Sequence, residues 1–130
     1  MNIDDELEPL TVYSYDVSAA MDGLVRYVLK TIPNSYADEF PSFSVFETYS
    51  PWNAHVDQGE VLLSPSLLNL PWDIAIGTLA HEFAHVFLGH TGMAGLQEEH
   101  EADALACQWG FTEEIKAMRQ RFGPATDGRS

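Results

Sequence analysis

The sequence is poor in cysteine, in basic side chains and in long apolar runs. Its one cysteine, Cys107, excludes a disulfide within the chain and leaves no thiol cluster for a closed, cysteine-rich metal site. Cys107 lies in an apolar helical stretch, which reads as an inert core thiol. Six Lys and Arg stand against twenty Asp and Glu, giving a formal net charge of −14. A field of that sign repels nucleic-acid phosphates and anionic lipid surfaces, which argues against both as partners. It favours basic protein segments and metal cations. The most apolar stretch, residues 74–88, is too short to span a bilayer and is interrupted by ionisable residues. Residues 1–9 are acidic and lack the basic-then-apolar order of a secretory signal, so a cytoplasmic location is expected. No repeat or low-complexity tract is present.

What remains is a composition 45% hydrophobic and 12% aromatic, enough for a packed core without a covalent staple. The length suits one domain, expected over 1–124, with a flexible tail at 125–130. Apolar residues Val17, Ala20, Met21, Leu24, Val25, Val28 and Leu29 recur at helical spacing over 16–32, and Pro33 closes that helix. Residues 42–49 alternate and are rich in β-branched and aromatic side chains, the pattern of a strand. Residues 56–64 contain a central Asp57-Gln58-Gly59, which predicts a turn between two short strands, the second being 60–64. Pro71 opens a long helix that runs to about His90, with Asn69 as a candidate cap. A further helix is expected over 97–109, stopped by Gly110, and Thr112 is placed to cap a last one that ends at Gly123-Pro124. The order is helix, a few strands, then three helices, an α+β arrangement.

Within the long helix lies His81-Glu82-Phe83-Ala84-His85, an H-E-x-x-H pattern. Histidines four apart on a helix differ by roughly 40° around the axis and by about 6 Å along it, so both rings reach one ion. Glu82 projects from an adjoining face, where it can meet a water on that ion. The spacing thus separates two ligands from one base. Shuffling would produce the pattern in about one sequence per hundred, so its surroundings must decide. Between 74 and 88 the only polar side chains are Thr78, His81, Glu82 and His85. A helix apolar on all faces is a buried helix, and three ionisable groups in two buried turns are costly unless a cation compensates them. The competing reading is two hydrogen-bonded core histidines with a glutamate reaching out to water.

An open zinc site needs a third protein ligand and leaves a fourth position for water. Candidates are His90, His100 and the acids of the following helix. The extended pattern H-E-x-x-H-x-x-G-x-x-H fails, because Leu88 and Thr91 stand at its last two positions. His90 suits a helix C-terminal residue, and Glu98 and Glu101 suit a solvated face. Tyr49, Trp52, His55 and Trp72 carry no assigned role. The segment Glu99-x-x-Ala102-Asp103-x-Leu105-Ala106 resembles the E-x-x-A-[ND]-x-[FL]-A helix of minimal gluzincins such as the ImmA/IrrE-like peptidases. The resemblance covers about 60–106. It implies a zincin-like fold with an N-terminal helix, a small twisted sheet, an active-site helix, a glutamate helix and a C-terminal helix. It also implies Zn2+ held by His81, His85 and Glu99, with Glu98 the substitute ligand if Glu99 were solvated. Asp103 would orient a ligating histidine, a role with independent sense because such histidines usually donate their other N–H to a carboxylate. Glu82 would be the general base of peptide-bond hydrolysis. The implied partner is a protein or peptide substrate, often a single regulatory protein, lying extended along strand 60–64 or the strand before it. A catalytically silent zincin-fold binding or regulatory protein that keeps the metal is the alternative.

Overall fold

The computed structural model describes residues 12–90 and 95–125. The 91–94 loop and all of the expected tail except Ala125 lie outside them. Among the described residues the fold is mixed α+β, with a four-stranded sheet and four α-helices. Strand β1 (Val12–Asp16) leads into helix α1 (Ala19–Thr31), followed by β2 (Phe43–Glu47), β3 (Ala54–Asp57) and β4 (Glu60–Leu63). Helices α2 (Trp72–Leu88), α3 (Leu96–Ala106) and α4 (Thr112–Phe122) complete the described chain. The sheet order is β1-β2-β4-β3, with β1, β2 and β4 parallel and β3 antiparallel on one edge.

Strand β1 is an addition to the elements expected from the pattern. Its side chains are half-buried or exposed, so its hydrophobic alternation is weak, and its register comes from distant pairing with β2. For the same reason α1 begins three residues later than periodicity suggested: Asp16 belongs to the strand, and the Ser18 hydroxyl caps the helix by accepting from Met21 N. Tyr15 ties the two elements together by donating its hydroxyl to Asp22, which also receives Arg26 Nε at 2.9 Å. Burial, aided by that carboxylate, pushes the Tyr15 phenol above its ordinary range. The turn between β3 and β4 falls where Asp57-Gln58-Gly59 placed it. Gln58 and Gly59 both have positive φ, 50° and 83°, the primed-turn conformation that matches strand twist in a two-residue hairpin.

Helix α2 is the central element. Twelve of its residues, from Ala75 to Val86, are buried without interruption, as a helix enclosed on all sides requires. Phe83 meets Phe43 of β2 edge to face, with centroids 5.5 Å apart, in a lattice of rings continued by Phe40, Phe87, Tyr36 and Trp109. Its start is not capped by Asn69, which lies in a 3-10 turn (Pro65–Asn69); instead Asp73 accepts from Ile74 N in the first turn. Its end is set by Gly89, whose φ of 76° is left-handed and stops the helix two residues short of His90.

Helices α3 and α4 are joined by a wide turn (Cys107–Phe111) that contains Gly110 at φ 107°. The α-helix therefore ends at Ala106, earlier than Gly110 alone suggested. Thr112 is the first residue of α4 and not its cap, and its hydroxyl donates to Cys107 O at 3.4 Å. Cys107 is half-buried and packs against the core. Helix α4 crosses α2 at very short range: a Cβ on Gly77 would stand 2.3 Å from the Glu114 carbonyl oxygen. Only glycine lets the two backbones approach this closely. Gly77→Ala should therefore destabilise the chain by about 1–3 kcal/mol through overpacking, read as a lower urea midpoint. An unchanged midpoint would show that α4 can shift without cost.

Candidate metal centre

Three buried side chains converge between α2 and α3. His81, His85 and Glu99 each offer a ligand atom within 4.8 Å of the other two, and they form a group that could hold a metal ion. The Nε2 atoms of His81 and His85 lie 3.0 Å apart. Glu99 places Oε1 3.2 Å from the first and Oε2 2.9 Å from the second. Both rings come from one face of α2 because they are a helical turn apart, and Glu99 rises from the first turn of α3. Small residues on that helix, Ala102 and Ala106, are fully buried and let α3 lie close to α2. Glu98 anchors the same turn differently, by accepting the Gly95 N–H at 3.1 Å. Glu99 is 2% exposed, so the substitution of Glu98 as ligand does not arise.

Glu82 is also inside. It is 5% exposed, so it is not the glutamate reaching for water that a plain core-histidine reading required. Its Oε2 lies 4.0 Å from His81 Nε2, adjacent to the ligand group and outside it.

Both histidines of this group have further side chains behind them. Asp103, one turn after Glu99 on α3, sits 2.7 Å from His81 Nδ1 through Oδ1. Arg119 of α4 grips the same carboxylate with a fork, Nε donating to Oδ2 at 2.8 Å and Nη2 to Oδ1 at 3.0 Å. Burial alone would raise the Asp103 carboxyl, but the bonds from His81 and Arg119 outweigh it and hold the group below its usual range. Arg119 was not singled out from the sequence beyond its favourable place near a helix end. Its spacing carries no motif, and it reaches Asp103 only through the wide turn and the Gly77 contact. His90, read as a helix end, turns its side chain back to His85, with the two Nδ1 atoms 2.7 Å apart. Glu98 and Glu101, expected on a solvated face, are about half-exposed yet both approach His90 Nε2. His100 is exposed and lies outside the group, Tyr49 and Trp72 are exposed, and Trp52 packs edge to face on His55.

The electrostatics call for a cation. Burial alone would depress the His81 imidazolium, yet hydrogen bonds to Asp103 and Glu99 and the charges of Glu82 and Glu99 push its pKa up to about 9. That shift favours the imidazolium form of His81 in the metal-free chain. Because the folded value lies above the unfolded 6.5, that proton's contribution to stability is complete below about 6.5 and is lost as pH rises through about 9. A metal ion competes for the same nitrogen. Comparison with family models, with curated proteins and with solved structures gives no significant match for this chain.

Two outcomes are expected. Asp103→Asn should weaken metal binding by roughly 10–100-fold, measured by competition with a chelator. Equal affinity in the variant would remove the orienting role of Asp103. In the wild type, affinity should increase from pH 6 towards pH 9 as the competing proton leaves His81, and a flat profile would show that His81 is already neutral.

Proposed function

We propose that this chain is a zinc-dependent peptidase of the gluzincin type, zincin-like in fold, acting on a protein or peptide segment. The observation that carries the reading is the convergence of three buried donors with a second buried carboxylate, Glu82, beside them and not among them. Ligands at 2.0–2.1 Å in a tetrahedral shell stand about 3.3 Å from one another. The two imidazole Nε2 atoms stand 3.0 Å apart, close to that figure, and the Glu99 carboxylate turns one oxygen towards each of them, at 3.2 and 2.9 Å. Two imidazoles and one carboxylate, with no thiolate, form a donor set that suits zinc with an open position better than a closed structural site.

When bound, zinc would supply Lewis acidity towards a scissile carbonyl and bring the pKa of a water to about 7. The chain's own residues do the rest. Asp103, fixed by Arg119, keeps the proton of His81 on Nδ1 and leaves Nε2 free to ligate. Glu82 accepts the proton of the attacking water and delivers it to the leaving amine nitrogen. The apolar residues around α2 exclude bulk water and so strengthen these interactions. For the substrate, β3 is the candidate partner: among the described residues it is one edge of the sheet and packs against α2, whereas β4 is enclosed between β2 and β3. An extended peptide added to β3 would gain backbone hydrogen bonds with limited sequence preference.

A silent binding protein that retains the metal has the same three ligands but needs no base, and Glu82 separates the two readings. Purified wild type should carry about one zinc per chain, lost in His81→Ala. Glu82→Gln should keep the zinc while cleavage of an unfolded-protein library, read by mass spectrometry, falls by roughly 10²–10⁴-fold. Equal cleavage by Glu82→Gln would remove the general base, and zinc-free wild type after reconstitution would remove the peptidase reading altogether.

A further inference from the structure

We infer that His90 is a positioning residue for the metal site, acting on His85 as Asp103 acts on His81. The inference rests on the metal reading above and adds to it a residue outside the two motifs. His90 follows Gly89, whose left-handed backbone turns the chain back over the last turn of α2. Its own N–H donates to His85 O at 3.0 Å, and its side chain is only 9% exposed. The ring is thus held at both ends. Nδ1 lies 2.7 Å from His85 Nδ1, while Nε2 lies 3.3 Å from Glu101 Oε1 and 3.6 Å from Glu98 Oε2.

Proton placement in this chain has one solution once His85 ligates. Its Nε2 faces His81 Nε2 and Glu99, so that nitrogen must be bare and the ring proton must sit on Nδ1. The atom 2.7 Å away, His90 Nδ1, then has to accept, which moves the proton of His90 to Nε2. There the carboxylates of Glu101 and Glu98 stand 3.3 and 3.6 Å away, and their charge favours a proton on that nitrogen. This relay, the charge of Glu101 and Glu98 on one side of His90 and the close Nδ1 pair on the other, favours one tautomer in each ring. It also explains why two acids on the outer side of α3 turn to the same ring. The two histidine ligands are therefore held by unlike devices. His81 is held directly by a carboxylate that an arginine anchors, and His85 by an imidazole that the turn at Gly89 delivers.

Zinc affinity by chelator competition tests this in wild type, His90→Leu and His90→Asn. The asparagine oxygen falls near the position of Nδ1 and can accept from His85, whereas leucine cannot. Leucine should weaken binding by about 10–100-fold and asparagine should recover most of the loss. Equal affinity in His90→Leu, or equal losses in both variants, overturns the inference, while wild type that takes up no zinc overturns the metal reading beneath it. A measurement without mutation guards against misfolded variants: imidazole 15N spectra of the zinc-loaded wild type should show His90 protonated on Nε2. Protonation on Nδ1 would overturn the relay.

Discussion

Three ionisable side chains on a helix that is buried along twelve consecutive residues set the terms for everything around them. His81, Glu82 and His85 are almost wholly shielded from bulk water, and isolated charges in such a place are costly. Three neighbouring segments answer that demand. Helix α3 brings Glu99 and Asp103, α4 brings Arg119, and the turn at Gly89 brings His90. The raised pKa of His81 expresses the same demand in the metal-free chain, because a proton is the smallest cation the site can recruit. A buried array that remains short of positive charge is better suited to a divalent ion than to internal pairing alone.

The geometry of this array depends on two backbone features that carry no charge. Gly77 admits the Glu114 carbonyl against α2, and Gly110 at φ 107° bends the chain so that α4 returns along the helices it follows. Arg119 reaches Asp103 only because both hold. A bidentate arginine on a part-buried aspartate is a directional contact, so a small shift of α4 would pass to Asp103 and from there to the His81 ring. The site is built on rigid elements, and its tolerance for displacement is correspondingly small.

Much of the candidate site was readable because its chemistry is local. H-E-x-x-H declares itself by helical spacing within five residues, and the apolar run around it announces burial. Glu99 and Asp103 were reachable through resemblance to a short helical motif, and the structure brings both to the rings of α2. Arg119 was not singled out for it, and His90 was weighed only as a third ligand and set aside. Arg119 lies sixteen residues from Asp103 across a wide turn whose geometry periodicity does not encode. His90 looked like a helix end, and the direction of its ring follows from a left-handed glycine before it. Strand β1 escaped for a related reason, since a half-exposed strand has little alternation and owes its place to pairing with β2. Helix existence was clear throughout, while caps were not: Asn69 and Thr112 are good capping residues, yet neighbouring turns claim them.

The edge strand β3 has a consequence for affinity. It is four residues long, which offers an added strand only about 13 Å of backbone. With roughly four hydrogen bonds at about 1 kcal/mol each, such pairing alone corresponds to a Kd near the millimolar range. Any chain that docks there, whether a substrate or another copy of the protein, needs a second point of attachment or a high local concentration. Recognition by this molecule is then a property of how a segment is presented to it, more than of the few residues the edge can hold.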